Sequence, residues 1–317
     1  MLKIAFHSNQ LCLTGTEIAM YDYARFNEEL LGNRSIILAD RRSPYNVQAA
    51  VEKFAARFPV YLYDDPRMIE GVLAHERADI LYCIKAGWRD GIVSQCCKTA
   101  VHAVFEYREP HGDVYAYVSK WLADRMSGGA LPFVPHMVNL PDATGDLRDE
   151  IGIPREAIVF GRHGGFDTFD IPFVQAEAAD VAARRPDIYF LFMNTRPFCD
   201  PRRNIIFLEG TADQERKVKF INSCDAMLHA RSCGETFGLA VGEFSIRNKP
   251  VITFAGVPQR SHIEILGRKG IYFNDAEELR RILLQFVPQP EKEWDAYSRE
   301  FSPAAVMRVF ERVFIGR

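Results

Sequence analysis

Two glutamates with seven residues between them, Glu235 and Glu243, stand in the stretch GETFGLAVGEF at 234–244. An apolar run, DAMLHA, precedes the stretch, and NKPVITF follows it as a turn and another strand. The spacing predicts a short loop feeding a helix. One acid sits at the turn, and the other lies about two turns down, on nearly the same face as Thr236. The first turn of a helix offers unpaired N–H groups and a positive dipole end, which suit a phosphate. Phe237, Gly238 and Leu239 would supply those amides. Glu243 can accept two hydroxyls of a ribose, and Glu235 those of a second sugar beyond the phosphates. This separation suits a nucleotide-sugar better than a metal, whose ligands converge on one point. Plainer readings exist for both acids. Glu243 and Arg247 are four apart and can form a surface ion pair, and Glu235 can be a helix N-terminal acid favoured by the dipole.

Further residues carry the same two kinds of reading. Gly161-Arg162-His163-Gly164-Gly165 can form an anion nest with Arg162 as a bidentate clamp, or a glycine-rich turn with a surface arginine. Arg231, just before the acid motif, is a second candidate clamp. Thr14-Gly15-Thr16-Glu17 starts a helix whose amides face the carboxyl edge of a sheet, where ligands bind in such folds. His102 lies near a strand end, where a histidine is either functional or a bonded core residue. Lys217 and Lys219 lie on a helix of alternating charges and read as solvated. Asp167 and Asp170 form an Asp-x-x-Asp pair, but no metal site is expected.

The elements that must position these residues alternate strand and helix. LKIAFH, a long helix EIAMYDYARFNEELL and Ile36–Ala39 make a βαβ unit, which argues for a parallel sheet. Four prolines and two glycines between 131 and 156 mark a connector. From AIVFGRHGGF the pattern restarts. The expectation is therefore an α/β chain of two doubly wound, Rossmann-like domains, with a ligand cleft between them. Their bounds are 1–140 and 156–300, joined by a linker at 141–155 and closed by a C-terminal helix at 301–317.

Composition narrows the function. The 317 residues carry a net charge of −3, with 15 Lys+Arg against 16 Asp+Glu in 1–140 and 24 against 26 beyond. No basic face argues for a nucleic-acid partner. No apolar run is long enough for a membrane span, and the N-terminus lacks a signal-peptide pattern. Seven scattered cysteines without a C-x-x-C pair read as free thiols in a reducing cytoplasm. The first loop is not G-x-G-x-x-G, which weakens a nicotinamide oxidoreductase.

Taken together, the residues resemble the retaining glycosyltransferases of the GT-B fold, family 4. LTGTE resembles that family's first-loop glycine motif, AYVSKWLADRM its serine-then-helix segment, FVPHMVNLP its linker lead-in and IVFGRHGG the loop opening its nucleotide domain. GETFGLAVGEF followed by NKPVIT resembles its Glu–seven–Glu motif, the most specific match. The resemblance implies that Glu243 binds the ribose. It implies that Glu235, with the amides of Thr236 to Leu239, holds the donor sugar and its phosphate. Arg162, with Gly161 and Gly164, then sits on the diphosphate. Gly15 and Thr16 abut the diphosphate from the other domain, and His102 lies near the donor sugar. A lysine that many members carry after the Gly-Arg is absent from FDTFDIPF, and Arg231 is expected to replace it.

The expected function follows from this resemblance. It is transfer of a sugar from a UDP- or GDP-sugar to an acceptor hydroxyl of a saccharide, glycan or lipid-linked substrate, with retention. It needs no cofactor or metal, and it is cytoplasmic. An epimerase, an inverting transferase on the same fold, and an inactive nucleotide-sugar-binding protein are the rivals.

Overall fold

The computed structural model describes residues 1–12 and 15–316, so Leu13 and Thr14 of the first-loop motif lie outside the described residues. The chain divides into two units, Met1–Met137 together with the segment from Glu300 onward, and Val138–Arg299.

The first unit runs β1 (Lys3–Ser8), α1 (Gly15–Glu29), β2 (Arg34–Asp40), α2 (Gln48–Ala55), β3 (Val60–Tyr63), α3 (Met68–Glu76), β4 (Ile80–Lys85), β5 (Lys98–Ala103), β6 (Val114–Tyr117) and α4 (Lys120–Ser127). Its six strands are all parallel, in the order β3-β2-β1-β4-β5-β6. Strands covered on both faces are largely apolar, and β4, ILYCIK, is buried from end to end, its one charge, Lys85, being paired with Asp90.

The second unit runs β7 (Ile158–His163), α5 (Pro172–Arg184), β8 (Ile188–Met193), β9 (Ile205–Leu208), α6 (Gln214–Ser223), β10 (Ala226–His229), β11 (Gly234–Glu235), α7 (Leu239–Ile246), β12 (Val251–Phe254), β13 (Gln259–Arg260), α8 (Ser261–Leu266), β14 (Gly270–Phe273) and α9 (Ala276–Gln285). Its main sheet is also parallel, ordered β14-β12-β10-β7-β8-β9, while β11 and β13 make a separate two-stranded pair. Both large sheets are thus Rossmann-like. After α10 (Ser298–Phe301), α11 (Pro303–Phe310) and a π-helical turn over Glu311–Ile315 pack on the first unit. There Phe310 and Phe314 meet Tyr82 at ring distances of 5.2 Å.

The segment 141–155, expected as a linker, falls within the second unit. Arg148 is buried and anchors it to the second unit. The guanidinium donates to the carbonyls of Ser223 at 2.9 Å and Ala157 at 3.0 Å, and pairs with Asp225 at 2.9 Å. Proline fixes the path of these turns; the buried arginine fixes where they dock.

Candidate active site at the carboxyl edge of the second sheet

Strand order in the second sheet reverses between β7 and β10, and Arg162, His163 and His229 lie at the carboxyl ends of those two strands. Ligands of open α/β sheets bind at such a switch point.

Glu235 is held from two sides there. Arg231 Nη1 donates to Oε2 at 2.8 Å, and His229 Nε2 lies 3.3 Å from Oε1. The histidine is in turn fixed from behind. Its Nδ1 is 2.9 Å from Thr253 Oγ1, which is 3.2 Å from Nε2 of the buried His262. The consistent proton arrangement runs from His262 N–H to the threonine oxygen, from the threonine hydroxyl to His229 Nδ1, and from His229 Nε2–H to the carboxylate. Burial alone would raise the Glu235 pKa. The His229 hydrogen bond and the Arg231 charge outweigh it and bring the carboxyl to about 2, so it is ionised.

Glu243 is held more deeply. Buried Lys217 on α6 donates to its Oε1 at 2.8 Å. His163 Nε2 lies 3.1 Å from Oε2, at ion-pair distance but without a well-directed hydrogen bond. Burial again acts upward on this carboxyl, and the Lys217 charge with His163 brings it to about 2. The expected solvated Lys217 is therefore corrected: it is the counter-ion of the second motif glutamate. Arg247 does not pair with Glu243 either. It donates to Asn222 Oδ1 and the Ala143 carbonyl.

Arg162 is buried, and burial lowers its pKa to about 10, so it stays charged. Its donors end on neutral oxygens: Thr195 Oγ1 at 2.5 Å, the Gly165 carbonyl at 2.8 Å, the Asn194 carbonyl at 3.3 Å, and Thr168 Oγ1. Among the described residues no carboxylate comes within ion-pair distance. A buried cation without a counter-ion is expensive unless something anionic joins it.

Several expected placements change. The helix of the acid motif begins at Leu239, so its first-turn amides come from Leu239, Ala240 and Val241, while Thr236 and Phe237 belong to the loop before it. Gly238 stands at the cap with φ +91, a left-handed conformation that favours glycine. Phe237 is buried, and its carbonyl accepts from Tyr297. Gly161 is a packing glycine inside β7, where an added Cβ would lie 2.1 Å from Cys224 Sγ; Gly164, φ +153, turns the chain beside the Arg162 guanidinium. Gly15 and Thr16 open α1, with Gly15 exposed and Thr16 half-buried. His102 is corrected to a core residue. It is fully buried, Nδ1 is 2.6 Å from Tyr82 Oη, Nε2 is 2.9 Å from the Val134 carbonyl, and Phe314 covers it. Burial depresses its pKa to about 3, so neither nitrogen is available to a substrate. Asp167 pairs with Arg196, while Asp170 accepts from Ser232, so this pair serves two different partners.

Sequence reasoning missed Lys217, His163, His229, Thr253 and His262. His163 and His229 were in view inside GRHGG and DAMLHA. Thr253 and His262 carry no local signal.

No family model matches the chain, and no curated protein matches it. Solved structures match in fold. A glycosyltransferase from Rickettsia africae is 13% identical, with a TM-score of 0.74 over 99% of this chain and 97% of that one. Alr3699/HepE from Anabaena, solved with UDP and glucose, is 13% identical, with a TM-score of 0.73 over 100% of both chains. A Listeria monocytogenes structure described as a UDP-N-acetylglucosamine 2-epimerase is 12% identical, with a TM-score of 0.61 over 98% and 95%. At such identities the likeness establishes the fold. The chain has the two Rossmann-like parallel-sheet units of the GT-B architecture.

Proposed function

We propose that the chain transfers a sugar from a nucleoside-diphosphate sugar, UDP- or GDP-linked, to an acceptor hydroxyl with retention at the anomeric carbon. The observation that carries this reading is Arg162, a buried guanidinium at a sheet switch point with no carboxylate beside it. An anionic leaving group supplies the missing partner. In the proposed reaction the bond from the anomeric carbon to the diphosphate oxygen breaks. The acceptor oxygen bonds to the same face of that carbon, and its proton leaves on the departing diphosphate.

Arg162, Gly164 and the first-turn amides of α7 would stabilise the charge that develops on the diphosphate. Glu243, with Lys217 behind it, would take the ribose hydroxyls. Glu235, oriented by His229 and Arg231, would take those of the donor sugar. No metal is needed in this scheme, because fixed cations and amides do that work. Saccharides, glycans and lipid-linked sugars are the acceptor classes, and the setting is cytoplasmic. Among the described residues no helix is long and apolar enough to cross a membrane.

The test is a panel of UDP-, GDP- and ADP-sugars, read by thermal shift and then by donor consumption with and without acceptors. One nucleotide is expected to raise the melting temperature, with donor consumption following. Binding without consumption would reduce the chain to a binding protein. Conversion of the free nucleotide-sugar without an acceptor would favour the epimerase reading that the Listeria likeness raises.

Arg231→Ala checks the replacement of the missing lysine. It is expected to lower turnover by about 10²-fold with an unchanged far-UV spectrum, and Arg231→Lys should recover part of the loss. Near-normal turnover in Arg231→Ala would remove Arg231 from the mechanism.

A further inference from the structure

The loops after β4 and β5 form a second built feature, in the first unit and apart from the residues discussed so far. Residues 86–91 and 104–112 are tied to one another. Phe105 N donates to the Ala86 carbonyl at 3.0 Å, Arg89 N to Glu109 Oε2 at 2.9 Å, and Arg89 Nη2 to the Pro110 carbonyl at 2.9 Å. Tyr115 Oη donates to the Gly87 carbonyl at 2.8 Å. Gly87 has φ +127, and an added Cβ would lie 2.8 Å from that same Tyr115 oxygen, so both space and backbone require glycine. What these loops hold out is aromatic. Trp88 is 45% exposed and Phe105 44%, while Trp88 packs edge-on against Tyr107 at 5.2 Å. The other two tryptophans, Trp121 and Trp294, are buried.

Polar groups of one kind lie on the same loops. Lys85 Nζ pairs with Asp90 Oδ1 at 2.6 Å, and Ile92 N donates to the same oxygen at 3.0 Å. Asp90 Oδ2 is buried without a partner. His111 Nδ1 is 2.7 Å from the Glu109 carbonyl, which can only accept. The proton therefore sits on Nδ1, and Nε2 is left as a bare acceptor, also buried without a partner. Burial lowers the His111 pKa, which keeps the ring neutral. Two acceptors lacking donors match hydroxyl groups; a phosphate or carboxylate would bring further acceptors.

We propose that this loop pair is a saccharide-binding site. A pyranose ring lays its C–H face on Trp88 and directs hydroxyls to Asp90 Oδ2 and His111 Nε2 once a turn of those side chains uncovers them. The site lies on the carboxyl edge of the first sheet, where α/β folds take ligands. The assignment of that saccharide as the acceptor rests on the glycosyltransferase reading; the binding itself does not. Exposed aromatics also suit a bilayer, but Asp90, Glu106 and Glu109 outnumber Arg89 and Arg108 on these loops, so they present no cationic surface to an anionic one.

The full chain is titrated with methyl glycosides and disaccharides of glucose, galactose, mannose and N-acetylglucosamine, by calorimetry and by tryptophan emission. At least one sugar is expected to bind and to shift the emission of exposed Trp88. Trp88→Ala should weaken that binding at least about tenfold, or about 1.4 kcal/mol, and Trp88→Phe should retain most of it. Both variants should keep the wild-type thermal shift with nucleotide, which reports an intact fold. The proposal is overturned if no sugar binds, if Trp88→Ala binds as well as wild type, or if Trp88 instead governs sedimentation with phosphatidylcholine–phosphatidylglycerol vesicles. Saccharide binding in a chain that no nucleotide stabilises would leave this site standing and remove the glycosyltransferase reading.

Discussion

Arg162→Met is expected to lower turnover about 10²–10³-fold, the range for removing one preorganised transition-state donor, without lowering the stability of the ligand-free protein. The two halves of this result belong together. Arg162 is 3% exposed, and its bonds go to two threonine hydroxyls and two carbonyls. Three of those acceptors keep other partners when it is removed, because Thr168 Oγ1 still donates to Gly165 O at 2.9 Å and Thr195 Oγ1 to Met193 O at 3.2 Å. What disappears is a desolvated charge that no carboxylate contacts, Glu235 and Asp170 acting on it only from beyond ion-pair distance, and replacing such a charge with an apolar side chain is often neutral or stabilising. A site that stores a lone cation for its ligand sacrifices stability for function. The thermal shift with nucleotide should collapse in Arg162→Met while the ligand-free melting temperature holds or rises. A fall of several kcal/mol in ligand-free stability, with turnover retained, would make Arg162 a structural residue of the 161–165 turn.

The elements were legible because each has a local cause. β8 is apolar along its length and β4 as far as Ile84, as suits strands buried on both faces. α5 follows the turn at Gly164 and Gly165 and opens on Pro172. The Glu–seven–Glu spacing marked a turn feeding a helix, and β11 holds Glu235 just before α7, which holds Glu243. What could not be read were the partners, because they come from distant parts of the chain. Lys217 and Glu243 are 26 residues apart, and α6 reads as a charged surface helix unless α7 is known to lie over it. His102 was expected near the donor sugar, but α11 and its π-helical turn, some two hundred residues later, bring Phe310 and Phe314 over that part of the sheet. Arg162 was visible as a residue type beside glycines. The direction of its guanidinium, back toward Thr168 and Thr195, is tertiary information.

Lys217→Met puts a number on the buried ion pair of the candidate site. Glu243 would remain in place with only His163 beside it, and a buried carboxylate stripped of its cation costs about 3–5 kcal/mol. The pH dependence should change sign as well as size. In the wild type, pairing holds the folded carboxyl at about 2, below its value of about 4.3 in an unfolded chain. Its stabilisation is therefore present above about pH 4.3 and is lost as pH falls toward 2. In Lys217→Met, burial dominates and the folded pKa rises above the unfolded one. That contribution is then fully present below about pH 4.3 and is lost as pH rises through the raised folded value, so the variant should lose most against wild type toward higher pH. Lys217→Met/Glu243→Gln removes the charge that lost its partner and should recover most of the stability at pH 7. Nucleotide binding should stay impaired in the double variant, because a neutral amide replaces the carboxylate proposed for the ribose. The discriminating measurement is affinity for the nucleotide against its 2′-deoxy analogue. Wild type should prefer the ribose form by about tenfold or more, and the double variant should lose that preference. If stability recovers and the preference survives, the Lys217–Glu243 pair is a core ion pair only, and the ribose contacts lie elsewhere on the switch-point edge.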